Sequence, residues 1–189
     1  MSELFDYLLG RSRKDRPQGF SNAVFEYDII LSHLGKRGET NLGGLRILDL
    51  GCGTGTSWPP YFCRLGAKMG ASVYGIDLSN ASIEDFTIYN HIVADLVPLI
   101  MEGRLHNFSQ LGGGKFDIIH EALFASGFTS PVLQNTLERY KGYYSEPLLD
   151  DFKAKMRDEA KHLLKNGGVL KTFDGVYKKS FGRLVFKRY

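Results

Sequence analysis

The sequence predicts an α/β fold, a doubly wound and mostly parallel sheet with helices on both faces. Three observations carry that expectation. Short apolar runs alternate with amphipathic segments, the first run ends in a glycine-rich turn, and a carboxylate closes the second. At 189 residues the chain suits one domain with a full core and is short for two. Hydrophobic residues make up 43% and charged residues 24%, as in ordinary globular proteins. A formal charge of +3 permits an anionic partner without demanding one.

Residues 1–44 read as an N-terminal helical cap. Apolar positions keep helical spacing at Leu4, Phe5, Leu8 and Leu9, and again at Val24, Tyr27, Ile30, Leu31 and Leu34. A polar, glycine-rich stretch from Gly35 to Gly44 leads into the core, expected over 45–175. Arg46-Ile-Leu-Asp-Leu50 has the length and apolar character of a strand buried on both faces. Pro59 and Pro60 suit the first turn of a helix running to about Met69. Ser72-Val-Tyr-Gly-Ile76 is a second strand, ending at Asp77.

Ile83, Phe86, Tyr89, Val93, Leu96, Val97 and Ile100 share one helical period, which predicts a helix from Ser79 or Asn80 to about Gly103. Arg104 to Phe108 is then the third strand. Gly112-Gly-Gly114 turns the chain into a fourth, Phe116-Asp-Ile-Ile119. A helix from Asp150 or Asp151 to Leu164, stopped by Asn166-Gly-Gly168, feeds a fifth strand from Val169 to Phe173.

Asp49-Leu-Gly51-Cys-Gly53-Thr-Gly55 concentrates the chemistry. Glycines after a buried strand let backbone approach a ligand closely, and the next helix turns its free amides toward the same point. Asp77 follows Gly53 by 24 residues, where an acid commonly bonds a ribose. A dinucleotide fingerprint would need Gly or Ala at position 56, but Thr56 stands there. The spacing resembles instead motif I of the class I methyltransferases dependent on S-adenosylmethionine (SAM), over Ile47-Leu-Asp-Leu-Gly-Cys-Gly-Thr-Gly55. Gly-Ile-Asp77 resembles that family's second motif, and Leu164-Lys-Asn-Gly-Gly-Val-Leu170 its approach to the fifth strand.

The resemblance implies a Rossmann-like fold and SAM as methyl donor, with S-adenosylhomocysteine as product. Gly51, Cys52, Gly53 and Gly55 would skirt the methionine portion, Asp49 would orient that end, and Asp77 with Leu78 would hold the ribose side. The Asp usual near the adenine amine is missing from Leu105-His-Asn-Phe-Ser-Gln110, which leaves Asn107, Ser109 or Gln110. Asp95 competes only if the helix at 80–102 breaks early. Beyond the fifth strand the family continues through a helix and a two-strand hairpin. Residues 175–189 suffice for about one strand, so a shortened sheet is expected.

Ligands of open α/β sheets bind beyond the carboxyl ends of the strands, which brings His120 and Glu121 toward the acceptor. Both are candidate bases, with backbone bonding and ion pairing as their structural alternatives. Residues 129–147 exceed one connection and, with Tyr140, Tyr143 and Tyr144, are expected as an acceptor-side insertion. The implied activity is methyl transfer to oxygen or nitrogen of a small molecule. Alternatives are an RNA or protein acceptor, favoured by basic residues near both ends, and a non-catalytic SAM-binding domain. Cys52 and Cys63 are too few for a zinc site and suit reduced thiols in the cytoplasm. No metal, no leader peptide and no membrane span are expected, since about 18 consecutive apolar residues occur nowhere.

Overall fold

The computed structural model describes residues 18–53, 60–80, 83–121, 131–172 and 174–187. The expected helical stretch at Leu4–Leu9 lies outside them. The described elements run α1 (Gln18–Leu34), β1 (Arg46–Leu50), α2 (Tyr61–Lys68), β2 (Ser72–Asp77), α3 (Ile83–Ile88), β3 (Asn90–Val93), α4 (Leu96–Met101), β4 (Phe116–His120), α5 (Pro131–Lys141), α6 (Glu146–Leu163), β5 (Leu164–Thr172), β6 (Gly175–Ser180) and β7 (Arg183–Lys187).

Among the described residues these strands form one sheet in the order β3-β2-β1-β4-β5-β6-β7. The first five are parallel, and β6 and β7 add an antiparallel hairpin. Alternate side chains of each strand serve opposite faces. Ile47, Val73, Ile118, Val169 and Val176 pack under α1 and α2 with Tyr27, Ile30, Leu31 and Phe62. Leu48, Leu50, Ile76, Ile119 and Leu170 pack under α4, α5 and α6 with Val97, Leu137 and Phe152. That two-sided burial is why β1 reads as an unbroken apolar run.

Two expectations are corrected. The helix predicted over 80–102 is interrupted by β3, whose Asn90–Val93 pairs with β2 from Tyr74 to Asp77. Asp95 then caps α4, its side chain accepting from the Val97 amide at 3.0 Å. Strand pairing outweighs the helical period: β3 buries His91 and Ile92, which the helical face left out, and leaves Val93 exposed. The third strand is therefore at 90–93, and Leu105–Asn107 and Ser109–Leu111 are 3₁₀ turns.

The second correction concerns β5, which starts at Leu164 directly after α6. Its pairing with β4 is irregular between Leu164 and Val169, and Gly167 takes φ 81° inside that interval. Asn166-Gly-Gly168 thus bends a strand rather than closing a helix. Beyond β5 the hairpin follows with no intervening helix, so the shortening falls on that helix while seven strands remain.

Lysines finish the helices. Lys178 donates to the His33 carbonyl at the end of α1 at 3.0 Å, and Lys155 to Met101 at the end of α4 at 3.1 Å. Lys179 donates to the carbonyls of Lys161 and Leu164, both at 2.7 Å, and Lys115 to His162. Ammonium groups there meet unpaired carbonyls and the negative end of the helix dipole. Two cations of the basic C-terminal stretch are therefore engaged inside the fold. No helix among the described residues is long and apolar enough to cross a membrane.

Candidate functional site

β1 is flanked by β2 on one side and β4 on the other, so the chain order reverses between β1 and β4, and their carboxyl ends form the switch point at which open α/β sheets bind ligands. Gly51 and Gly53 begin the turn there, with φ of 73° and 80°, a region that glycine enters without steric penalty. The turn is strapped to β2. The Gly51 and Cys52 amides donate to the Ile76 carbonyl at 2.9 and 3.1 Å, and the Gly53 amide donates to Asp77 Oδ2 at 3.0 Å. Asp77 Oδ1 accepts from the Ser79 amide at 3.1 Å. The predicted ribose acid thus also fixes the glycine turn. Leu78, beside it, is 48% exposed. Gly55 lies outside the described residues.

Asp49 and Cys52 both carry their side chains into the interior. Asp49 is buried, with Oδ1 2.8 Å from His120 Nδ1 and Oδ2 accepting from the Cys63 thiol at 3.4 Å. Cys52 Sγ lies 3.8 Å from His91 Nδ1. Both sulfurs occupy the space over Gly75, where a Cβ would come within 2.8 Å of Cys52 Sγ and 3.0 Å of Cys63 Sγ. What Cys52 offers the turn is its backbone.

Strand register assembles a polar row that the sequence reading missed. His91, Gly75, Asp49, His120 and Lys171 stand side by side across β3, β2, β1, β4 and β5. Lys171 is 3% exposed, pairs with Glu26 of α1 at 3.0 Å and donates to the Thr172 carbonyl at 2.6 Å. A lysine following Val169 and Leu170 in an apolar strand was the one local signal of this row. His91 Nε2 lies 2.9 Å from the Ser79 carbonyl, and Nδ1 lies 3.2 Å from the Tyr89 hydroxyl. Burial opposes charging His91, but the Cys52 thiol and the Ser79 carbonyl outweigh it and raise its pKa. Burial pushes the Cys63 thiol and the Tyr27 hydroxyl well above their ordinary values.

The two acceptor-side residues are both buried. His120 closes β4, and the Glu121 amide donates to the Lys171 carbonyl at 2.7 Å. Ser109 does not join them. It begins the 3₁₀ turn whose last residue, Leu111, accepts from Arg46 at the opposite, amino-terminal end of β1 (2.7 Å). Because the third strand is at 90–93, residues 105–111 carry the chain back to start β4, and Ser109, expected as an adenine contact, stands at the wrong end of the sheet for that role. Asp95 stands instead at the carboxyl end of β3, where the neighbouring Ala94 amide donates to the Asp77 carbonyl at 2.9 Å. Of the stretch expected as an acceptor-side insertion, α5 packs Leu133 and Leu137 into the core, while Tyr143 is exposed and the Tyr140 hydroxyl donates to Glu102 at 3.2 Å.

No family model matches the chain. It is 40% identical over 65 residues to a ubiquinone biosynthesis O-methyltransferase of Maricaulis maris, covering 34% of this chain and 24% of that protein. It is 35% identical over 94 residues to the Chelativorans sp. protein of the same description, covering 49% of this chain and 34% of that protein. The chain thus spans about a quarter to a third of the curated relatives it matches. Among solved structures, the MycE methyltransferase of mycinamycin biosynthesis, crystallised with Mg and S-adenosylhomocysteine, superposes with a TM-score of 0.50 at 16% identity. That superposition covers 82% of this chain and 36% of the other. The sheet order, the glycine turn after its first strand and these likenesses agree, and the chain has the Rossmann-like fold of the class I methyltransferases.

Proposed function

We propose that this protein transfers a methyl group from SAM to an oxygen atom of a small molecule. The observation that carries the reading is the glycine turn at the switch point, bonded through Gly53 to the carboxylate of Asp77. Such a turn accommodates the amino-acid end of a nucleoside while the acid one strand away serves its ribose. When bound, SAM supplies an already activated methyl group, so the protein has chiefly to hold donor and acceptor in line and out of water.

In this reading Gly51, Gly53 and Gly55 border the methionine portion. Asp77 with Leu78 holds the ribose side, and Asp95 lines the adenine side. His120 and Glu121 stand on the acceptor side, which residues 129–147 help to wall. The oxygen acceptor follows the relatives described as O-methyltransferases, and the product follows the S-adenosylhomocysteine held by the structural neighbour. The buried, unbridged thiols of Cys52 and Cys63 suit a reducing compartment such as the cytoplasm.

Titration calorimetry with SAM tests this. The chain should bind SAM, and Asp77→Ala should weaken binding at least about tenfold, because a hydrogen bond to an ionised carboxylate contributes about 1.5–3 kcal/mol. No heat at millimolar SAM would count against the whole reading.

A further inference from the structure

Two thiols meet beneath the glycine turn, and methyl transfer gives neither a part in its chemistry. Cys52 stands between Gly51 and Gly53, and Cys63 lies in α2. The bare backbone of Gly75 leaves a hollow that both sulfurs fill. A Cβ there would lie 2.8 Å from Cys52 Sγ and 3.0 Å from Cys63 Sγ. The sulfurs are therefore neighbours, and they belong to the only two cysteines of the chain. Their surroundings differ. Cys63 is fully buried, its thiol donates to Asp49 Oδ2 at 3.4 Å, and burial holds its pKa well above the ordinary value. Cys52 is 8% exposed, with Sγ 3.8 Å from His91 Nδ1. Hydrogen bonding by the adjacent Cys63 thiol, and after it by His91, lowers the Cys52 pKa against the effect of burial. A buried structural cysteine is inert for want of a stabilised thiolate, whereas Cys52 has an imidazole beside it and an edge open to solvent.

We propose that Cys52 and Cys63 are a peroxide-responsive pair: Cys52 is oxidised first, Cys63 closes a disulfide onto it, and the bridge disables the glycine turn for its cofactor. Formation of the bridge is independent of the methyl-transfer reading, and its effect on SAM rests on that reading. In a reducing compartment such bridges are transient and act as redox sensors.

In the first step His91 takes the Cys52 proton and the thiolate attacks hydrogen peroxide. An S–O bond forms as the O–O bond breaks, and the departing hydroxide recovers the proton from His91 and leaves as water. Cys52 is then a sulfenic acid. In the second step the Cys63 sulfur attacks Cys52 Sγ, its own proton passing to Asp49 Oδ2. The S–S bond forms, the S–O bond breaks, and the hydroxide takes that proton to leave as a second water. Two thiols have lost two electrons and one peroxide has become two waters. A dithiol reductant reverses the bridge by exchange. Bonded sulfurs stand closer than two thiols in contact can, so closing the bridge draws Cys52 toward α2. The turn feels that shift on both sides of Cys52, through the Gly51 and Cys52 amides on the Ile76 carbonyl and the Gly53 amide on Asp77.

Mass spectrometry and calorimetry on the full chain test the proposal. The reduced chain, denatured, should take up N-ethylmaleimide on both cysteines. After exposure to a small excess of hydrogen peroxide it should take up none and yield a peptide pair joined through Cys52 and Cys63 of one chain. In Cys63→Ser the reaction should stop at a sulfenic acid that dimedone traps on Cys52. In Cys52→Ser the Cys63 thiol should stay open to alkylation after the same exposure. His91→Gln should slow oxidation of Cys52 about tenfold, by leaving less of it as thiolate. The bridged chain should bind SAM at least about tenfold more weakly than the reduced chain, as for the loss of one hydrogen bond to a charged group. Dithiothreitol should restore the affinity.

Free thiols after peroxide, a bridge between two chains, or ready oxidation of Cys63 in Cys52→Ser would overturn the pair. A bridge that leaves SAM affinity unchanged would overturn its control of the turn. A reduced chain that binds no SAM removes the methyl-transfer reading and that control with it, while peptide mapping still decides the pair. If either serine variant does not fold, mapping of the wild-type bridge and its reversal by dithiothreitol remain sufficient.

Discussion

Gly75 shows how a single missing Cβ organises this site. In the row across the sheet its neighbours carry imidazole and carboxylate groups, and the space it leaves is filled by Cys52 and Cys63 Sγ and the Tyr89 ring. Gly75→Ala should destabilise the protein by about 1–3 kcal/mol, the usual cost of overpacking. A urea midpoint lowered at unchanged slope would register it, and a midpoint equal to wild type would show that the sulfurs give way freely. At this scale, legibility depended on distance along the chain. Gly51, Gly53 and Asp77 were found from spacing within one strand–turn–helix–strand unit. The Asp49–His120 contact joins residues 71 apart, and only the register of β1 against β4 brings them together.

Elements were legible where both their ends carried signals. β1, β2 and β4 were correctly located by short apolar runs next to glycine or aspartate. β3 was not, because a four-residue strand between two six-residue helices leaves the apolar spacing of one long helix. The start of α6 was also misread. Ser145 caps it, accepting from the Leu148 amide at 3.3 Å, and Glu146 and Pro147 form its first turn. The sequence reading began the helix at Asp150 or Asp151 because the insertion had absorbed this cap. Ser145→Ala should cost about 1 kcal/mol, typical of losing an N-cap. Thermal unfolding should show a lower midpoint, and recovery on Ser145→Asp would tie the loss to the cap.

Stability of the whole molecule should depend on pH through two histidines with opposite slopes. The His33 imidazole is held below its ordinary range by burial, then by the ammonium groups of Lys178 and Lys187. Above about pH 6.5 folded and unfolded chains both carry it neutral. As pH falls below that, the unfolded chain takes the proton first and stability is lost until the folded ring is also charged. His91 runs the other way: its raised pKa contributes stability at low pH that is lost as pH rises through the folded value. His33→Gln removes only the first effect. Denaturant melts at pH 7.5 and 5.5 should therefore show a smaller acid loss in the variant than in wild type.

The segment expected to be a cap has a larger role at this scale. α1 places Ala23, Tyr27, Ile30 and Leu31 in the same cluster as Ile118, Val169 and Val176, and its Glu26 neutralises buried Lys171. With β5 leading into β6, no helix after β5 covers that face among the described residues. The foldable unit is accordingly larger than the stretch that advertises the chemistry. A fragment trimmed to begin at the first strand would present to water a half-covered apolar wall, shielded by α2 alone, with an unneutralised ammonium in its midst.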